Sequence, residues 1–93
     1  MTDVQIIGIG RLSKLRGRNE AELAVLVDDH HQHMGIGTEL YRRLIAVARD
    51  EKLERVVSTI LSENRDMMAI CQKLGMHLKS DMEDGTVRAE LKV

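Results

Sequence analysis

The stretch Ala21-Glu22-Leu23-Ala24-Val25-Leu26-Val27, followed by Asp28 to His31 and then Gln32-His33-Met34-Gly35-Ile36-Gly37-Thr38, decides the fold. An apolar run of strand length stops at two aspartates. A loop with two glycines follows and opens directly into an amphipathic helix. Strand, Gly-rich loop and helix N-terminus in that order build an anion site. Backbone N–H groups converge there, and the helix dipole adds roughly half a positive charge. A pyrophosphate suits such a site.

Outward from this stretch the chain divides cleanly. Gln5 to Leu12 reads as a strand with Ile6, Ile7, Ile9 and Leu12 apolar; Gly8 and Gly10 inside it signal a bulge or a close backbone approach. Arg16-Gly17-Arg18-Asn19 is a polar turn, and Glu20 to Val27 is the second strand, so the two make an antiparallel hairpin. Thr38 to Glu51 reads as a helix, with Leu40, Leu44 and Ala48 spaced by four and Tyr41 and Ile45 beside them. Arg55 to Leu61, rich in Val and Ile, follows that helix and is expected to lie parallel to the second strand. Asn64 is a good N-cap for a helix over Arg65 to Leu74, with a stripe of Met67, Ile70, Cys71 and Leu74, and Gly75 suits its left-handed end. Met76 to Ser80 and Thr86 to Val93 close the chain as a hairpin around Glu83-Asp84-Gly85. The order is ββαβαββ, an α/β (α+β) chain with a mixed, mostly antiparallel sheet and a single domain over residues 1–93.

Composition narrows the function classes. With no Phe or Trp and Tyr41 as the sole aromatic residue, the core must be Leu, Ile, Val and Met, and Met67 and Met68 read as gap-fillers. The net charge of −1 and the lack of stacking aromatics give no support to nucleic-acid binding. No stretch is long and apolar enough to cross a bilayer. Cys71 is the single cysteine, so no internal disulfide forms, and a cytoplasmic, reducing setting is expected. His30, His31 and His33 beside Asp28 and Asp29 lie along different loop directions with no second cluster, and we expect no metal.

The loop Gln32-x-x-Gly35-Ile36-Gly37, the later Asn64-Arg65-x-Met67 and the ending Lys73-Leu74-Gly75-Met76, in this order of elements, resemble the GNAT superfamily of N-acetyltransferases. The likeness is greatest to the GNAT domain of bacterial protein lysine acetyltransferases and runs over residues 5–93. It implies acetyl-CoA as cosubstrate and an amine acceptor, a protein lysine or a small amine. It implies that Gln32, His33, Met34, Gly35, Ile36, Gly37 and Thr38 wrap the CoA pyrophosphate. Leu26 and Val27 would bond the pantetheine arm through their backbone, and Asn64 would contact the same region. The resemblance further implies that strands Glu20–Val27 and Arg55–Leu61 splay apart, with the thioester in the gap and a strand amide near Leu26 polarising its carbonyl. Arg42 and Arg43 are candidates for the adenosine 3′-phosphate.

The implied chemistry is acyl transfer to an amine. Such an amine has a pKa of roughly 10, so a base must take its proton directly or through water. Glu22, on the strand beside the thioester, matches the family's glutamate. The tyrosine that many members use as general acid is replaced by Cys71, which on its apolar stripe reads as core. The family carries a further strand and one or two helices ahead of the hairpin with which this chain opens. We therefore expect a truncated or minimal version that keeps the CoA half, with the first strand's edge open to a homodimer. The alternative function is a catalytically incomplete CoA-binding module with a regulatory or dimerisation role.

Overall fold

The computed structural model describes residues 8–28, 35–81 and 83–93. Seven elements follow one another: β1 (Gly8–Lys14), β2 (Glu20–Val27), α1 (Ile36–Asp50), β3 (Arg55–Leu61), α2 (Arg65–Lys73), β4 (His77–Asp81) and β5 (Thr86–Lys92). The five strands form one sheet in the order β1-β2-β3-β5-β4. Only β2 and β3 are parallel; the other three pairs are antiparallel. The ββαβαββ order and the mixed, mostly antiparallel sheet are those expected from the sequence.

The boundaries follow local chemistry. Gly35, at φ 78°, takes a left-handed conformation ahead of α1, so the helix starts at Ile36, two residues before Thr38. The Asn64 side chain accepts a hydrogen bond from the Met67 N–H at 3.2 Å and caps α2. Gly75, at φ 88°, turns the chain out of that helix. β1 runs on to Lys14, while the expected residues Gln5 to Ile7 lie outside the described residues.

Both helices pack on one face of the sheet, α1 over β1 and β2 and α2 over β4 and β5. The core they close contains Ala21, Leu23, Tyr41, Ile45, Ala48, Val56, Ile60, Cys71, Met76 and Ala89. Tyr41 heads the fully buried side chains by size. Gly8 and Gly10 belong to a continuous one-to-one register with β2, so they do not mark a bulge. They mark a close approach: a Cβ on Gly8 would stand 2.9 Å from Ile36 Cγ2, and one on Gly10 3.2 Å from Leu44 Cδ1. The centre of the α1 stripe is accordingly Tyr41, Ile45 and Ala48, while Leu40 and Leu44 lie half-buried over the two glycines. The sheet's other face presents Ile9, Leu26 and Leu61, which are 51%, 73% and 57% exposed.

Candidate functional site

The parallel ladder between β2 and β3 has only three rungs, Glu20↔Arg55, Ala21↔Val56 and Glu22↔Val57. Beyond them β2 continues for five residues beside β1 alone, and β3 continues beside β5. The two central strands therefore fork, and among the described residues one edge of β2 has no ladder partner beyond Leu23.

Which backbone groups face the fork follows from strand alternation. The Glu20 carbonyl accepts from the Leu15 N–H at 2.9 Å, so it points toward the β1 side. The Leu23 carbonyl accepts from Ser58 Oγ at 2.8 Å, so it points toward β3. An extended residue turns its N–H and C=O to one side and its successor turns them to the other. Val25 and Val27 thus direct their main-chain groups into the fork, whereas Leu26 pairs with Ile9 and directs its groups toward β1. Of the two pantetheine contacts expected on this strand, Val27 keeps its orientation. Next to Leu26, the main-chain amide that points into the fork is that of Val25, because the unbroken register leaves no bulge to change the phase.

At the mouth of the fork stands the N-terminus of α1. Its first N–H groups have no partner within the helix, and Gly35 contributes no side-chain cap. Acidic Glu39 sits in the first turn, but it is engaged by Arg43 Nε at 2.9 Å and by Arg42 at 3.6 Å. A groove of about 330 Å³ opens here between α1 and α2, lined by Val27, Gly35, Gly37, Thr38, Asn64, Asp66, Met67, Ala69, Ile70 and Lys73. Five expected site residues, Val27, Gly35, Gly37, Thr38 and Asn64, therefore share one cavity. The two glycines have different reasons. Gly35 has open space around its Cβ position, while a Cβ on Gly37 would stand 3.1 Å from Ile70 Cδ1, so Gly37 lets α1 close onto α2. Ile36 turns its side chain under β1 instead of lining the groove. Gln32, His33 and Met34 lie outside the described residues, as do Asp29, His30 and His31. Among the described residues no group of three metal-ligating side chains comes together.

Glu22 occupies the last rung of the ladder, with Ser13 and Val57 as its lateral partners. Its side chain is exposed and alternates with those of Ala21 and Leu23, so it stands on the open face of the sheet with Leu26. The two are four residues apart, about 13 Å along the strand. A proton passing to Glu22 from an amine near Val25, about 10 Å along the strand, would travel by a chain of waters.

Behind the fork lies a buried polar group of three. Tyr41 Oη and Ser58 Oγ are 2.8 Å apart, and Cys71 interacts with Tyr41. Burial pushes the Tyr41 hydroxyl far above its ordinary value, against the opposing pull of its Ser58 hydrogen bond. Burial likewise raises the Cys71 thiol. Cys71 is fully buried and stays a neutral thiol inside the core, away from the groove lining.

Arg42 and Arg43, the residues considered for a 3′-phosphate, are ion-paired with Glu39 and do not line the groove. Among the described residues the cation that does is Lys73. Sequence reasoning missed it, although Asp66, Ala69, Ile70 and Lys73 have the i, i+3, i+4, i+7 spacing of one helix face. Ser58 and its bond across the fork were also missed; a lone serine in an apolar strand gives no such signal.

A family model described as acetyltransferase (GNAT) domain matches residues 1–77. Among solved structures, the GNAT domain of S. lividans PAT is 36% identical, with a TM-score of 0.71 over 80% of this chain and 42% of that one. The chain thus spans less than half the length of that relative. YncA of Salmonella typhimurium, solved with its cofactor acetyl-CoA, is 24% identical at a TM-score of 0.79, covering 92% of this chain and 57% of that one. A Bacillus subtilis acetyltransferase in complex with CoA is 18% identical, again at a TM-score of 0.79, over 100% of this chain and 73% of that one.

Proposed function

This chain belongs to the GNAT acetyltransferase domain family, and from that premise we propose that it binds acetyl-CoA and transfers the acetyl group to an amine, either a protein lysine or a small amine. The observation that carries the reading is the fork between β2 and β3, opening where the N-terminus of α1 meets the groove. The diphosphate sits against the backbone of residues 32–38, and Val27 and Asn64 take the pantetheine arm as an added strand would be taken. The thioester carbonyl lies in the fork, polarised by the Val25 amide.

The acceptor nitrogen attacks the carbonyl carbon, and its proton passes through water to the Glu22 carboxylate. The tetrahedral intermediate collapses with cleavage of the C–S bond, and the electron pair leaves on the CoA sulfur. Buried Cys71 stands at the position of the family's tyrosine acid, and CoA departs as thiolate. A thiol is acidic enough for that. We place the protein in a reducing, cytoplasmic setting, in keeping with its lone thiol, and we include a homodimer paired through the β1 edge, which is an outer edge of the sheet.

One observation favours a second reading, CoA binding without turnover. The sheet face that bears Glu22 exposes Ile9, Leu26 and Leu61, and nothing among the described residues covers them. A thiol-release assay with acetyl-CoA and amine acceptors separates the two. Turnover that falls about 100-fold in Glu22→Gln, with acetyl-CoA affinity unchanged by calorimetry, identifies the enzyme. Saturable binding without thiol release identifies the module, and no binding at all refutes both.

A further inference from the structure

The groove between α1 and α2 is charged unevenly along its length. The Asn64 N–H donates to the Leu61 carbonyl at 2.9 Å, so α2 begins where the β3 wall of the fork ends. The N-terminus of α1 meets α2 part-way along: a Cβ on Gly37 would stand 3.1 Å from Ile70 Cδ1 and 3.9 Å from Met67 Cε. Lys73 follows Ile70 by just under one turn, about 4.5 Å further from the fork. Asp66 lines the same groove near its fork end, about 10.5 Å along the helix axis from Lys73. The α2 wall thus runs from a carboxylate beside the fork, past the start of α1, to an ammonium at the far end.

Acetyl-CoA is charged in a matching order. Its pantetheine arm is uncharged, its diphosphate comes next, and the ribose beyond carries a third phosphate on its 3′ oxygen. With the thioester in the fork and the diphosphate against the start of α1, the 3′-phosphate falls to the stretch of groove beyond Ile70. Lys73 is the cation there among the described residues. Arg42 and Arg43 are exposed on α1 and engaged by Glu39. The opposite orientation would set the phosphate-rich end beside Asp66, where like charges repel.

We infer that Lys73 binds the 3′-phosphate and makes this chain select CoA thioesters over their 3′-dephospho forms. The inference rests on the acetyl-CoA reading of the fork and groove. A lysine is a compact point charge on a flexible stem, which suits a phosphate held one ribose away from the helix N-terminus. A lysine that served only the dipole of α2 would steady the helix without telling the two ligands apart.

Calorimetric titration of the wild type and of Lys73→Met with acetyl-CoA and with 3′-dephospho-acetyl-CoA closes a cycle over one side chain and one phosphate. At low ionic strength the wild type should bind acetyl-CoA at least about fivefold more tightly than the dephospho form. Lys73→Met should lower acetyl-CoA affinity about fivefold and dephospho-acetyl-CoA affinity less than about twofold, so that the preference collapses. Lys73→Arg should keep the preference, Arg42→Gln should leave it at its wild-type value, and added salt should shrink it. Both ligands meet the same folded variant, so any loss of helix stability cancels from the ratio. Equal losses for the two ligands in Lys73→Met would put Lys73 at the diphosphate and overturn the inference. A wild type that binds both ligands alike would also overturn it, as would a preference that survives Lys73→Met or vanishes in Arg42→Gln. A wild type that binds neither ligand would overturn the proposed function itself.

Discussion

Raising the pH should unfold this chain through protons held in its core. Tyr41 is 1% exposed and Cys71 is fully buried, and burial raises the pKa of both. An unfolded chain gives these groups ordinary values, about 10 for the phenol and about 8.5 for the thiol. Between the ordinary and the raised value, the unfolded chain has lost the proton while the folded chain still holds it. The unfolded state then binds fewer protons, so stability falls as pH rises; below the ordinary values both states are protonated and the contribution is complete. One such proton removes about 1.4 kcal/mol per pH unit, so Tyr41 alone takes about 2.7 kcal/mol between about pH 10 and 12. Cys71 adds a loss of the same sign that begins about 1.5 units lower. A domain of 93 residues holds roughly 5–14 kcal/mol in total, so cooperative unfolding is expected above about pH 11. Tyr41 is the only aromatic residue, which makes phenolate absorbance a single-site probe. That absorbance should stay low through pH 10 and then rise together with loss of far-ultraviolet circular dichroism. A phenolate signal with its midpoint near pH 10 and native dichroism throughout would refute the burial of Tyr41 against Ser58.

Three further outcomes follow from the geometry. Asn64→Ala removes the cap of α2 and should cost about 1 kcal/mol by denaturant titration, with weaker acetyl-CoA binding in calorimetry. Gly37→Ala places a methyl 3.1 Å from Ile70 Cδ1; overpacking of about 1–3 kcal/mol should outweigh the gain of about 1 kcal/mol in helix propensity, and Ile70→Val should relieve it in a double-mutant cycle. Lys73→Glu should weaken acetyl-CoA binding several-fold in low salt, with the deficit shrinking as ionic strength rises, because Lys73 is a cation that lines the groove.

Much of the fold is legible in the sequence because punctuation and periodicity agree. β2 and β3 begin and end where their Val, Ile and Leu runs meet polar residues, and Asn64 and Gly75 bound α2 by cap chemistry. Helix α1 begins earlier than its apolar stripe suggests, since the left-handed Gly35 starts the turn before any apolar side chain is needed. The site divides differently. Gly35, Gly37, Thr38, Asn64 and Val27 meet in one groove because each belongs to a local motif. The phase of β2 beyond the fork is not local. It follows from the ladder with β1, and the point where β2 leaves β3 is marked by a hydroxyl 35 positions along the chain from the carbonyl it bonds, a contact that no pattern within either strand encodes. Lys73 escapes for a milder reason: a lysine in a last helical turn reads as a dipole partner before it reads as a ligand contact.

The two glycines of β1 carry a consequence for how this cleft can change. With Gly8 and Gly10 bare, α1 rides directly on the strand's main chain through Ile36, Leu40 and Leu44. The altitude of the helix above the sheet is therefore written in a strand that lines no part of the groove. A single methyl added at Gly8 would act as a shim under the first turn, tilting the start of α1 away from the β2 amides without altering one residue of either. Substitutions on β1 thus offer a dial for cofactor reach that leaves the reacting groups untouched.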